Sequence, residues 1–256
     1  MDFDELNKAT YEGRDLVDRY VHATLLVPEV LIFFKYKDEI AGRRVLDMGC
    51  GAGRTAKFLS QWTDAYTASD YSSQMLERAK EHVPGARFLL CDVRDMGIFA
   101  DREFDTVFFL NNGLDSLGHE DRLRALAELR RVLKPGGLFA FSSHNRNHRN
   151  ARLQPQLEFT PDPVGLARSL VRYRRRARNR ARNRPYEREE AEYAIINDRS
   201  HNYALITYYM TLRDQVAQIR AAGFEPLEVY DLCGNRLPLD GEDMESGWLH
   251  YVARRS

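Results

Sequence analysis

The stretch Val45-Leu46-Asp47-Met48-Gly49-Cys50-Gly51-Ala52-Gly53-Arg54-Thr55 ends an apolar run in an acid, then sets three glycines at alternate positions before a helical sequence. Only glycine lets a backbone turn this tightly and come close to a ligand with no Cβ in the way. The free N–H groups at the start of the helix then face whatever occupies the turn. A pyrophosphate calls for G-x-G-x-x-G, but here the third glycine comes one residue early and Arg54 follows it. Asp47 would also set negative charge beside a pyrophosphate, whereas it suits a cationic ligand. Asp70, closing the next apolar run, can accept both hydroxyls of a ribose, as it can in either kind of nucleotide site. Asp92, directly after the third run, suits the amino hydrogens of a base, with the Val93 N–H beside it for a ring nitrogen; a turn or N-cap role for Asp92 stays open.

The elements that must hold these residues follow in order. Residues 1–41 read as helical, with Tyr11, Leu16, Tyr20, Ala23, Leu26 and Val27 recurring every three or four positions and Pro28 interrupting. Strands are expected at 45–48, 64–69 and 86–90, and the near-continuous apolar run Phe104–Leu110 reads as a central strand covered on both faces. It stops at Asn111-Asn112-Gly113, the end at which ligands bind in open α/β sheets. A helix over 121–133, the junction Lys134-Pro135-Gly136-Gly137 and a strand over 138–142 come next. Two strand-like runs, 192–196 and 203–210, read as a hairpin across the polar residues 197–202. Thr211 as N-cap, Asp214 and the stop Ala222-Gly223 bound one more helix, and 224–232 and 248–253 supply the last strands.

The D-x-G-x-G-x-G turn, Asp70, Asp92 and the Lys-Pro-Gly-Gly junction, in this order, resemble a class I, Rossmann-like S-adenosylmethionine-dependent methyltransferase of the small-molecule type. The resemblance covers about 43–143 and returns near 211–253. It implies an α/β fold: a seven-stranded, mostly parallel sheet with helices on both faces and the last strand antiparallel. An α+β substrate cap is inserted in it. The corresponding domains are an N-terminal helical lid, 1–41; a cofactor-binding domain, 42–143 and 211–256; and a cap, 144–210, with an Arg-rich helix and a hairpin. The resemblance further implies S-adenosylmethionine as cofactor, held by Asp47, Gly49, Cys50, Gly51, Gly53, Asp70, Tyr71, Met75, Asp92, Val93, Asn111 and Asn112, with Tyr11 and Tyr20 covering it. Aromatics at 11 and 20 packing their helix on the sheet is the plainer alternative.

Within that reading the chain transfers a methyl group to an oxygen or nitrogen of a small molecule. Displacement at a sulfonium needs alignment above all, and a hydroxyl acceptor also needs a base. The candidate bases are His144, which follows the fifth strand, His119 and His201. Asn145, Tyr203, Tyr208 and Arg236 are the candidate substrate contacts.

Ten arginines against one acid, Glu187, lie between Val164 and Arg188, leaving 28 basic and 37 acidic residues elsewhere in a chain of net charge zero. This segment reads as a solvated helix face, a grip on an anionic acceptor, or a grip on RNA. Against RNA stand the lack of stacking aromatics beyond Tyr173 and Tyr186, and Asn111-Asn112-Gly113-Leu114 where base amino methylases carry N/D-P-P-Y/F. A cofactor-binding module without catalysis is the remaining class. The three cysteines are too scattered for a disulfide framework or a zinc site, and no metal is expected. No apolar run reaches the ~20 residues of a membrane span, and the acidic start lacks signal-peptide features. A cytoplasmic protein is expected.

Overall fold

The computed structural model describes residue 7 and residues 24–256; Tyr11 and Tyr20, and most of the expected 1–41 lid, lie outside them. The strands are β1 Val45–Met48, β2 Tyr66–Asp70, β3 Arg87–Leu90, β4 Phe104–Phe109, β5 Leu133–Asn145, β6 Arg188–Glu189, β7 Tyr193–Ile196, β8 Thr207–Met210, β9 Phe224–Tyr230, β10 Arg236–Leu237 and β11 Trp248–Arg255. The helices are α1 Val27–Lys35, α2 Ala56–Leu59, α3 Ser73–His82, α4 His119–Val132, α5 Pro163–Asn183 and α6 Leu212–Ala221.

Seven strands run β3-β2-β1-β4-β5-β11-β9, and β11 alone is antiparallel to its neighbours, so the expected seven-stranded sheet is present. Apolar residues of α4 and α6 pack on one face, and those of α1, α2 and α3 on the other. That two-sided cover is why β1 is buried at every position and β4 is nearly continuous in apolar residues. Helix starts follow local chemistry: the Ser72 hydroxyl accepts from the Met75 N–H at 3.3 Å, and Thr211 accepts from Asp214 at 3.1 Å.

Four short strands extend this sheet, and three belong to the 144–210 region. β5 runs on to Asn145, three residues past the expected end, and β8 pairs with it in parallel at His144↔Tyr209 and Asn145↔Met210. β11 holds the other edge of β5 through Trp248↔His144, so β8 takes up beyond the end of β4 on the same edge. The hairpin is present as β7–β8, but its second strand starts at Thr207 rather than Tyr203. His201, Asn202 and Tyr203 adopt left-handed φ of 50°, 58° and 61°, which no strand permits.

Candidate active site

Two adjoining cavities open beyond the carboxyl ends of the strands. The larger, about 380 Å³, forms around the glycine turn, where Gly49, Gly51 and Gly53 all have positive φ. Asp47, Gly49, Cys50 and Gly51 line it from the turn; Asp70, Tyr71 and Met75 from the end of β2 and the start of α3; Asp92, Val93 and Asn111 from the loops after β3 and β4. Gly53 does not line it; a Cβ there would press to 3.3 Å of the Ala79 backbone, so this glycine lets the turn approach α3.

The carboxylates differ in environment. Asp70 accepts from Gly51 N and Ser72 N, each at 2.9 Å, one on each oxygen, and burial pushes its acid up to about 6 against those bonds. Asp47 Oδ2 accepts from Thr55 at 2.5 Å and Tyr66 at 2.6 Å, and burial likewise pushes it up to about 6. Asp92 is clasped by Arg94, whose Nη2 lies 2.7 Å from Oδ2 and whose backbone N lies 2.9 Å from Oδ1. Burial acts against ionisation of Asp92, but the Arg94 bonds outweigh it and hold the acid below its usual range. The carboxylate expected to meet a base amino group is therefore already engaged.

The smaller cavity, about 150 Å³, shares Asn111 and Ser116 with the larger one and is lined further by Asn112, Asp115, His144, His201 and Trp248. Asn111 and Asn112 sit at φ of 57° and 63°, and the 3-10 turn Gly113–Ser116 follows them. That turn delivers Asp115, 1% exposed, to His144: its Oδ2 lies 2.6 Å from both the ring Nδ1 and the backbone N. Asp115 Oδ1 accepts from Arg122 Nη1 and Ser143 Oγ, each at 2.7 Å. Burial opposes its charge, yet the His144 bond and the Arg122 charge prevail and keep the acid low.

Of the three candidate bases, His144 and His201 line the smaller cavity and His119 lines neither. His119 instead stacks on Tyr193 at 4.3 Å and meets the Tyr208 hydroxyl at 2.8 Å. The candidate substrate contacts also stand apart from both cavities. Tyr208 is fully buried over Arg122; Tyr203 donates to the Leu153 carbonyl at 2.9 Å; Asn145 donates to Asp243 O at 2.7 Å. Arg236 lies on β10, 3.6 Å from Glu228. Among the described residues no group of His, Cys, Asp and Glu could hold a metal, and no helix is long and apolar enough to cross a membrane.

Sequence reasoning missed Phe109, Arg94, Asp115 and Asn7. Phe109 lies over Gly49 and Gly113, where an added Cβ would come within 2.4 and 2.0 Å of its ring. Arg94 has a local signal, two residues after an acid in a turn. Asp115 and Asn7 have none, because their partners are distant in the chain.

A family model described as a methyltransferase domain matches residues 45–137, from β1 into β5. Residues 45–137 thus match a methyltransferase domain, set in a Rossmann-like fold. Outside the matched span, the seven-stranded sheet is completed by β9 and β11. The malonyl-[acyl-carrier protein] O-methyltransferase of Salmonella typhimurium is 35% identical over 99 residues, 39% of this chain and 38% of that one, so the chain spans well under half of that relative's length. The CcbJ methyltransferase of Streptomyces caelestis shares the fold at a TM-score of 0.61 and 19% identity, over 96% of this chain and 98% of that one. So does the 1,6-didemethyltoxoflavin-N1-methyltransferase of Burkholderia thailandensis, solved with 1,6-didemethyltoxoflavin and S-adenosylhomocysteine, at a TM-score of 0.54 and 18% identity, over 86% and 74%.

Proposed function

We propose that the chain transfers a methyl group from S-adenosylmethionine to an oxygen or nitrogen of a small molecule seated in the smaller cavity. The observation that carries this reading is the shared wall of the two cavities at Asn111 and Ser116, which brings an acceptor next to the glycine turn.

The larger cavity fits the cofactor. Asp70, held by the backbone N–H groups of Gly51, Tyr71 and Ser72, keeps acceptor capacity for a ribose hydroxyl. A Cβ at Gly51 would stand in open space, so the backbone there is bare toward a ligand, and the Val93 N–H has no partner among the described residues. Asp70 would hold the sugar, the Val93 N–H the base, and Asp47 would balance a positive charge. Bound there, the cofactor supplies a sulfonium-activated methyl group. The chain's own contribution is to align the acceptor and exclude water. The names of relatives that methylate small or carrier-linked acids and heterocycles support a small acceptor.

Calorimetry with S-adenosylhomocysteine, followed by incubation with labelled S-adenosylmethionine and a metabolite extract, tests the proposal. Micromolar uptake and a labelled small product are expected. Uptake without any labelled product would leave a binding module, and steeply salt-dependent binding of bulk tRNA would shift the reading to nucleic acid.

A further inference from the structure

We propose that the smaller cavity takes the reacting end of a neutral, hydroxyl-bearing acceptor, with His144 removing the hydroxyl proton and Asp115 positioning its ring. This rests on the methyltransferase reading and narrows it.

The ring geometry sets the proton. An ionised carboxylate only accepts, so Asp115 Oδ2 at 2.6 Å requires the hydrogen on His144 Nδ1 and leaves Nε2 with a bare lone pair. Asp115 cannot turn away. Arg122, fully buried, donates to it at 2.7 Å and is itself fixed by Gln215 Oε1 at 2.6 Å and Gln218 Oε1 at 2.9 Å. The imidazole is 15% exposed and borders the cavity, between the rings of Tyr209 and Trp248 at 5.0 and 5.9 Å.

The charge of the lining decides between acceptors. Among the described residues no lysine or arginine lines this cavity; the ionisable ones that do are Asp115, His144 and His201. A carboxylate acceptor is already a nucleophile, needs no base, and calls for a cationic partner. Here it would meet the field of Asp115 and find Arg122 sealed behind it. A neutral hydroxyl has the opposite needs. Asn112 Oδ1 and Trp248 Nε1, an acceptor and a donor on lining residues, are both buried without a hydrogen bond among the described residues, which suits a neutral ligand that can donate and accept.

In the proposed step the hydroxyl proton passes to His144 Nε2 while the oxygen's electron pair forms the bond to the methyl carbon. The methyl–sulfur bond breaks with its pair kept on sulfur, and the imidazolium, balanced by Asp115, returns the proton to water. The charged or titratable groups facing the ring are Asp115 from the 113–116 turn, Arg122 behind it from α4, Tyr209 from β8 and His201 from the loop before β8.

The test offers tritiated-methyl S-adenosylmethionine with phenols and aliphatic alcohols, each matched by the carboxylic acid of the same skeleton, to wild type and His144→Gln. S-adenosylhomocysteine affinity is measured first for both. Transfer to hydroxyls is expected to fall ~10²–10⁴-fold in His144→Gln, with the matched acids inert. In ¹⁵N-histidine NMR of the S-adenosylhomocysteine complex, His144 should carry its proton on Nδ1, and Asp115→Asn should shift it toward Nε2. Methylation of the acids unaffected by His144→Gln, absence of transfer to every hydroxyl, or a wild-type Nε2–H ring would each overturn the proposal. Failure of wild type to bind S-adenosylhomocysteine would instead remove the methyltransferase reading beneath it.

Discussion

Asn7 and Ile206, 199 positions apart, are joined in both directions: Asn7 Nδ2 donates to the Ile206 carbonyl at 2.8 Å, and Asn7 Oδ1 accepts from the Ile206 N–H at 3.1 Å. The same Nδ2 donates to Ser116 O at 3.0 Å, so one buried amide ties the chain's beginning to the loop before β8 and to the turn between the cavities. Asn7→Ala should cost about 2–3 kcal/mol, since it strands two buried carbonyls and an N–H. The expected readout is a fall in Tm together with a raised acceptor KM. Asn7→Asp should be worse, because it points a charged acceptor at two carbonyls.

Asp47 predicts a pH signature. Its folded pKa of about 6 lies above the ordinary carboxylate value, so folding favours the protonated acid. That stability is complete below about pH 4 and is lost as pH rises through about 6, by about 3 kcal/mol. Asp47→Asn cannot ionise and should not lose it. Denaturant melts of both proteins from pH 4 to 7 should show the wild type losing ground to the variant. Binding of cationic S-adenosylmethionine relative to neutral-sulfur S-adenosylhomocysteine should move the other way, strengthening as pH climbs through 6 in the wild type only.

His250 predicts the reverse slope. It is fully buried, neither ring nitrogen has a hydrogen bond among the described residues, and Glu29 Oε1 stands 3.9 Å from Nε2. Burial, helped by the Arg54 charge and resisted by Glu29, holds its pKa down at about 4. Its neutral form is thus favoured by folding, a stability present above about pH 6.5 and lost as pH falls through 4. His250→Phe should be more stable than wild type by about 1 kcal/mol at pH 7, with a margin that widens toward pH 4. A variant that melts below wild type at pH 5 would refute this.

Arg54 and Glu29 form a buried pair, with Arg54 Nη2 at 2.7 Å from Glu29 Oε1 and Glu29 Oε2 at 2.8 Å from the Leu26 N–H that opens α1. Arg54→Met should cost about 3–5 kcal/mol, because it leaves a carboxylate alone in the interior. Arg54→Met with Glu29→Leu should recover most of that loss. A double variant as unstable as the single one would show that the pair is needed for more than mutual neutralisation.

What could be seen in the sequence tracks how local each interaction is. The glycine turn, Asp70 and the α3 and α6 caps rest on contacts within a few residues or on a strand's own burial pattern, and they were legible. The run of β5 to Asn145 was not, since its last residues are strand only through pairing with β8, some 65 positions on. Asp115 was missed because Arg122 and His144 are brought to it only by α4 and β5. Tyr203 has strand-forming chemistry, yet Asn183 and Asn197 both bind its carbonyl, each at 3.0 Å, in a left-handed conformation. There side-chain clamps override local preference.

The pairing of β8 with β5 has a mechanical meaning. A hairpin laced to the backbone at His144 and Asn145 cannot hinge open as one flap without unzipping the end of β5 that carries this histidine. In the proposed acceptor site, passage past His144 would then need the 198–206 wall to shift, and that wall is held outside the ladder by single side chains, Asn7, Asn183 and Asn197.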